Sequence, residues 1–338
     1  MDARTLDVVI LGPTTVAARD LVPALRESEV SIGRIRLLGD EEEIGETIED
    51  GDNVLRVEKL EPAAIAGAHV VFVPPHVEVP RAIRDAAARA GAVVIDASGR
   101  AGDAPIVFPG INDEELEEIE AVKGATLALA SASAAQLAAV PLPIEAKAGL
   151  QRVDVVSLEA VSGFGIPGME ELSMQTVSLL NGREPDRNIF PHRIAFNVVP
   201  QIGSFEAGGE TLRERRIARE LATLLGRELP ALSITCAVVP VFYGTSQFLT
   251  VATERPLPAA AAREAFAGAE TAKVLDEPKE GIYPMPTLAV GDDEALHVGR
   301  IRETPAGLSL LSVADNLRWG TVVPMVRLVE LLLEAERI

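Results

Sequence analysis

The feature that most constrains this chain is the alternation, through its first third, of short apolar runs with amphipathic helical patterns. The run Leu6–Leu11 ends on a glycine and a small-residue turn before the amphipathic stretch 17–26, which reads as strand, turn, helix. Further apolar runs follow at 35–38, 69–73 and 92–95, the last two separated by the alanine-rich helical pattern 80–90. Such runs suit strands buried on both faces, and helices between them supply crossovers, so the order predicts an α/β fold with a Rossmann-like, doubly wound parallel sheet. After Asn112 the stretch DEELEEIEAVKG predicts a helix stopped by Gly124, and 126–130 one more strand.

From Arg152 the texture changes to longer alternating runs, VDVVSLEAVS, ITCAVVPVFYG and FLTVATE. These predict a second, α+β domain with a mixed sheet, one face covered by helical patterns at 169–180 and 212–225. The closing segment GTVVPMVRLVELLLEAERI is apolar at helical spacing and predicts a helix that returns to the first domain. The expected boundaries are 1–128 with 318–338 for the first domain and 129–317 for the second.

Composition narrows the partners. The 338 residues are 48% hydrophobic but only 4% aromatic, so aliphatic side chains must fill both cores. With 51 acidic against 31 basic residues the formal charge is -20, which repels a phosphate backbone and disfavours nucleic acid as a partner. No window approaches the ~18 uninterrupted apolar residues of a membrane span, and the opening MDARTLDVVILGP lacks the pattern of an export signal. A cytoplasmic protein without a membrane partner is expected. The single cysteine, Cys236, and the scattered histidines His69, His76, His192 and His297 predict no metal site.

A dinucleotide-binding turn needs glycines for the tight turn, for backbone approach to the pyrophosphate and for helix packing. Here the turn is Gly12-Pro13-Thr14-Thr15-Val16-Ala17-Ala18, with only the first glycine in place. An ordinary strand-to-helix turn and a cofactor turn built on Gly12, Thr14 and Thr15 both remain open. The end of the second predicted strand carries Asp40-Glu41-Glu42-Glu43, four acids that would repel a 2′-phosphate. Glu41 to Glu43 read most simply as a solvated loop.

Four long segments, VVSLEAVSGFGIPGMEEL (155–172), FPHRIAFNVVPQIGSF (190–205), YPMPTLAVGDDEALHVGRIRE (283–303) and SVADNLRWG (312–320), resemble the aspartate-semialdehyde dehydrogenase family. The resemblance implies a dinucleotide-binding first domain, a second domain bearing catalytic residues and a dimer interface, NADP as cofactor, and a place in amino-acid biosynthesis. The family's reaction passes through a thioester on a cysteine, with hydride from the nicotinamide.

The residues that carry this chemistry are replaced. The family's cysteine lies in an Asn-Pro-Asn-Cys motif four residues before a glutamine; here the motif is Leu129-Ala130-Ser131-Ala132 and the glutamine is Gln136, so Ala132 stands at the nucleophile's position. A methyl group cannot attack a carbonyl. The glutamine before Ala-Val-Ser-Gly is Glu159, the carboxylate-gripping arginine is Val238 and the acid/base histidine is Thr245. The resemblance also places substrate contacts on Glu214 and Arg216, a phosphate contact on Arg100 and a cofactor-facing segment at Asn316. For Glu214 and Arg216 an ordinary surface helix is the competing reading, for Asn316 a packing role, and Arg100 aligns only with a one-residue gap.

Cys236, in an apolar strand pattern, reads as buried and inert, and Ser131 and Ser133 lack a matched histidine. His192 reads as a framework residue. The expectation is therefore a homologue inactive in the family reaction, a homodimeric binding or interaction scaffold that pairs with itself or with an active paralogue. The alternative is an oxidoreductase of altered chemistry. With its single glycine and its acids, the first domain is expected to bind NADP weakly or not at all.

Overall fold

A computed structural model describes residues 5–269, 272–290 and 294–338, which form two compact units, one running to Ala130 and resuming at Thr321, the other Ser131–Gly320. In the first unit β1 (Leu6–Leu11) leads into α1 (Val16–Glu27), β2 (Ile32–Gly39), β3 (Thr47–Asp50), β4 (Asn53–Lys59), β5 (Val70–Val73), α2 (Arg81–Ala90), β6 (Val93–Asp96), β7 (Ile106–Val107), α3 (Glu114–Glu118) and β8 (Thr126–Leu129). Among the described residues its sheet has eight strands in the order β3-β4-β2-β1-β5-β6-β8-β7. All pairings are parallel except β3 with β4. The sheet is thus Rossmann-like and doubly wound, as the alternation of runs predicts. β5 and β6 are buried at every position, the state expected of strands covered on both faces.

Chain order reverses across β1, with β2 on one side and β5 on the other, and this places the β1–α1 turn at the topological switch point. Thr15 caps α1 through its hydroxyl, which accepts from the Ala18 N–H at 3.3 Å. The C-terminal helix, Val323–Glu334, belongs to this unit. It starts later than residue 318 because Arg318–Val322 is wound as a wider π-type turn.

The acidic stretch departs from expectation. α3 ends at Glu118, far short of Gly124, because it buries only Leu116 while its carboxylates face one another at helical spacing. Gly124 is needed for another reason: φ is +80°, and a Cβ there would lie 2.9 Å from the Ala88 carbonyl oxygen.

The second unit contains α4 (Ala132–Ala139), α5 (Pro141–Ala148), β9 (Arg152–Glu159), α6 (Gly165–Leu180), α7 (Leu212–Leu224), β10 (Leu232–Val238), β11 (Thr245–Ala252), α8 (Ala259–Ala267), β12 (Ala272–Val274), α9 (Pro286–Ala289), β13 (Leu296–Thr304) and β14 (Gly307–Ala314). Its sheet, with six strands among the described residues, runs β10-β9-β11-β14-β13-β12. The outer pairs β10–β9 and β12–β13 are parallel and the inner ones antiparallel, so the sheet is mixed as predicted. Alternation along β9 and β11 buries Val155, Ser157, Gln247 and Leu249 on one face. Val156 and Phe248, paired in register on the other, are left exposed. No described helix is long and apolar enough to cross a membrane.

Candidate functional site

In the first unit, the β1–α1 turn is where a phosphate would meet backbone N–H groups. Gly12 takes φ +56°, and the methyl Cγ2 of Val77 would lie 2.3 Å from a Cβ at this position. The Gly12 N–H donates to the Leu38 carbonyl (3.1 Å), Pro13 has no N–H, and the Thr15 N–H and hydroxyl both donate to the Gly12 carbonyl (3.1 and 2.9 Å). The Thr14 N–H donates to the Glu43 carboxylate at 3.3 Å, and the Thr14 hydroxyl donates to the same oxygen. The acidic run after β2 is therefore not simply solvated, because Glu43 folds back onto the turn. The N–H donors of residues 12, 14 and 15 are thus taken within the protein, and this loop ahead of α1 does not fit a dinucleotide pyrophosphate.

In the second unit, α4 is built of small residues, so it packs closely and is buried from Ser133 to Ala139. At its N-terminus Ser131 donates from its backbone N–H (3.0 Å) and its hydroxyl to one oxygen of Glu220, a buried carboxylate on α7. The other oxygen of Glu220 accepts from Arg216 Nε at 2.6 Å, a pair spaced four residues apart on the helix. Ala132 opens α4, its methyl packed on Gly320, where an added Cβ would come within 2.3 Å.

Two residues after Ser131, Ser133 donates its hydroxyl to Glu159 at 2.9 Å. Glu159 closes β9 and is gripped side-on by Arg213, whose Nε lies 3.0 and 2.9 Å from the two carboxylate oxygens and whose Nη2 lies 2.7 Å from one. The side chains are 20% and 4% exposed for Arg213 and Glu159. Burial works to lower the Arg213 guanidinium, but the charge and hydrogen bonds of Glu159 outweigh it and hold the group above its ordinary value. Glu214 serves the fold as well: it completes the capping box of α7 by accepting from the Thr211 N–H (2.6 Å), and its other oxygen accepts from the Cys236 N–H (2.8 Å).

Family models match both units: "semialdehyde dehydrogenase, NAD binding domain" over residues 7–119 and "semialdehyde dehydrogenase, dimerisation domain" over residues 142–319. The chain belongs to the semialdehyde dehydrogenase family. It is 32% identical over 335 residues to the aspartate-semialdehyde dehydrogenase of Aquifex aeolicus, covering 97% of this chain and 98% of that one. It is 33% identical to a USG-1 protein homolog of Pseudomonas aeruginosa, covering 98% and 99%. Among solved structures, aspartate semialdehyde dehydrogenase II of Vibrio cholerae, complexed with ASA, matches with a TM-score of 0.89 at 29% identity, covering 98% and 99%.

Within this family fold, the positions singled out from sequence fall as follows. Ala132, Glu159, Val238 and Thr245 all lie in the second unit, Ala132 opening α4 and the other three at the ends of adjacent strands. Val238 is fully buried and pairs with Glu159 in the sheet register and with Val199 through a bridge. Thr245 is buried, and its carbonyl accepts from Gln136. Asn316 takes the Gly244 N–H on its carbonyl oxygen at 2.9 Å, and its amide meets the Ser162 hydroxyl at 3.0 and 3.2 Å. Arg100, in the first unit, pairs with Glu78 at an exposed position. The Cys236 thiol is buried, and burial first, then the Glu159 charge, push it up.

Three residues that organise these sites escape a reading of the sequence alone. Arg213 and Glu43 act across 54 and 29 residues, and nothing local marks their partners. Glu220 carries a faint signal, its spacing of four from Arg216.

Proposed function

We propose that this chain is a homodimeric member of the family that does not run the family's reaction and works as a binding or interaction scaffold. The observation that carries this reading is the state of the α4 N-terminus: a methyl group at Ala132, with the flanking hydroxyls already committed to two buried ion pairs, Glu220–Arg216 and Glu159–Arg213. A thioester mechanism needs a thiolate, a proton shuttle and a free cation for the substrate's anionic groups. At the matching positions the chain has a methyl, a buried threonine and a valine, and the nearby arginines face carboxylates of the protein. An oxidoreductase of altered chemistry would draw on Glu214, Arg216 and Asn316. Each of these is engaged in holding the fold, which favours a structural role for them.

The homodimer is supported by the match to the dimerisation domain and by the apolar surface this unit leaves open. Val156 and Phe248 form an exposed apolar pair on the sheet, and Met174, Val177 and Leu180, spaced by three, form an exposed stripe along α6. Such surface in a folded protein marks an interface, and a second copy or a cysteine-bearing relative would present a similar face.

The test is a steady-state assay of the purified protein with aspartate semialdehyde, inorganic phosphate and NADP. The expected result is no phosphate-dependent reduction of NADP above the rate without protein. Sustained turnover would end this reading.

A further inference from the structure

We propose that Glu43 is a built-in occupant of the β1–α1 turn: its carboxylate holds the place of a dinucleotide's pyrophosphate, so the first unit keeps the nucleotide-binding fold while closed to the nucleotide. This concerns a different unit from the catalytic reading above and stands or falls separately.

A pyrophosphate is bound at such a turn because backbone N–H groups point outward and nothing covers the glycine, which lets phosphate oxygens approach the main chain. Over the loop that precedes α1 both conditions are reversed. From residue 12 to residue 15 every N–H is spent, on Leu38, on Glu43 and on Gly12 itself, and Pro13 has none. Val77 lies over the glycine face. The group that takes the Thr14 N–H and hydroxyl is a carboxylate, an anion with the same acceptor chemistry as a phosphate oxygen.

The arrangement is built into the chain. The second oxygen of Glu43 accepts from the Asp40 N–H at 3.0 Å, which pins the segment after β2 against its own start. Gly39 makes the room: a Cβ there would lie 2.5 Å from the Glu43 Oε2 and 2.8 Å from its Cβ. A glycine at the end of β2 and a glutamate four residues on thus form one device. A pyrophosphate entering this turn would have to expel a carboxylate that is hydrogen-bonded at both ends, and would meet its negative charge while doing so.

The experiment is thermal melting of the full chain and of Glu43→Ala, each with NAD or inorganic pyrophosphate at millimolar concentration against a sodium chloride control of equal ionic strength. The parent is expected to show no ligand-dependent shift. Glu43→Ala is expected to melt lower than the parent and to recover about 2–4 °C with either ligand, the size of shift that binding well above Kd gives a chain of this length. Glu43→Ser, shorter and still polar, is expected to behave alike and serves if the alanine variant folds poorly. A ligand-dependent rise in the parent, or none in either variant, would overturn the proposal.

Discussion

Replacing Arg213 by methionine tests how far the second unit has been rebuilt around its own charges. The guanidinium makes three contacts of 2.7 to 3.0 Å with Glu159. Without it the Glu159 carboxylate would remain buried with the Ser133 hydroxyl as its remaining donor near the helix end. Removing one partner of a buried pair costs about 3–5 kcal/mol, and because Arg213 keeps 20% exposure the lower end, about 3 kcal/mol, is expected. Glu159→Leu should cost less, because the Arg213 guanidinium left behind still feels the Glu220 charge. The double variant Arg213→Met with Glu159→Leu should return to within about 1 kcal/mol of the parent, since an apolar pair of similar volume restores packing without stranding a charge. Urea unfolding followed by the fluorescence of Trp319, the chain's one tryptophan, reads the same unit. A loss below about 1 kcal/mol for Arg213→Met, as for an exposed pair, would refute the reasoning. It would leave Arg213 available for a ligand.

Other consequences follow from the same geometry. Ala132→Cys should not produce turnover with aspartate semialdehyde, phosphate and NADP, because Glu220 already occupies the α4 N-terminus and Val238 and Thr245 supply neither clamp nor base; recovery of activity in that assay would show that the remaining groups suffice. Phe248→Asp, at the exposed centre of the apolar sheet face, should shift the protein to monomer in light scattering, with its fold retained by circular dichroism; an unchanged dimer would place the interface elsewhere. The Cys236 thiol gives a pH signature. Its folded value is raised, so its stabilising contribution is complete below the unfolded value of about 8.5 and fades as pH rises above it, by about 1.4 kcal/mol per unit, until the folded thiol itself ionises. Cys236→Ala should flatten the alkaline slope of unfolding free energy by that amount, and equal slopes in parent and variant would contradict the assignment.

Much of the fold was legible because it depends on local pattern. Buried parallel strands leave unbroken apolar runs, and β1, β5 and β6 fall where those runs lie. The length of α3 is not legible, because helical periodicity in an acidic run says nothing about whether a core exists to receive it; only Leu116 finds one. At the candidate site, flanking motifs point to Ala132, Glu159, Val238 and Thr245 as departures from the family pattern, since each sits in a segment with its own register. What surrounds those positions could not be read. The clasp of Arg213 on Glu159 and the return of Glu43 to Thr14 depend on tertiary approach, and a glutamate in a run of acids looks the same whether it faces water or caps a turn.

Absence of the covalent step is tested most directly by a single-turnover experiment. Protein in molar excess over NADP is mixed with aspartate semialdehyde and examined by intact mass spectrometry alongside NADPH absorbance. An unmodified chain mass and no NADPH are expected, because neither Ala132 nor the buried Cys236 can form the thioester. An acyl adduct formed together with an equivalent of NADPH would contradict this expectation.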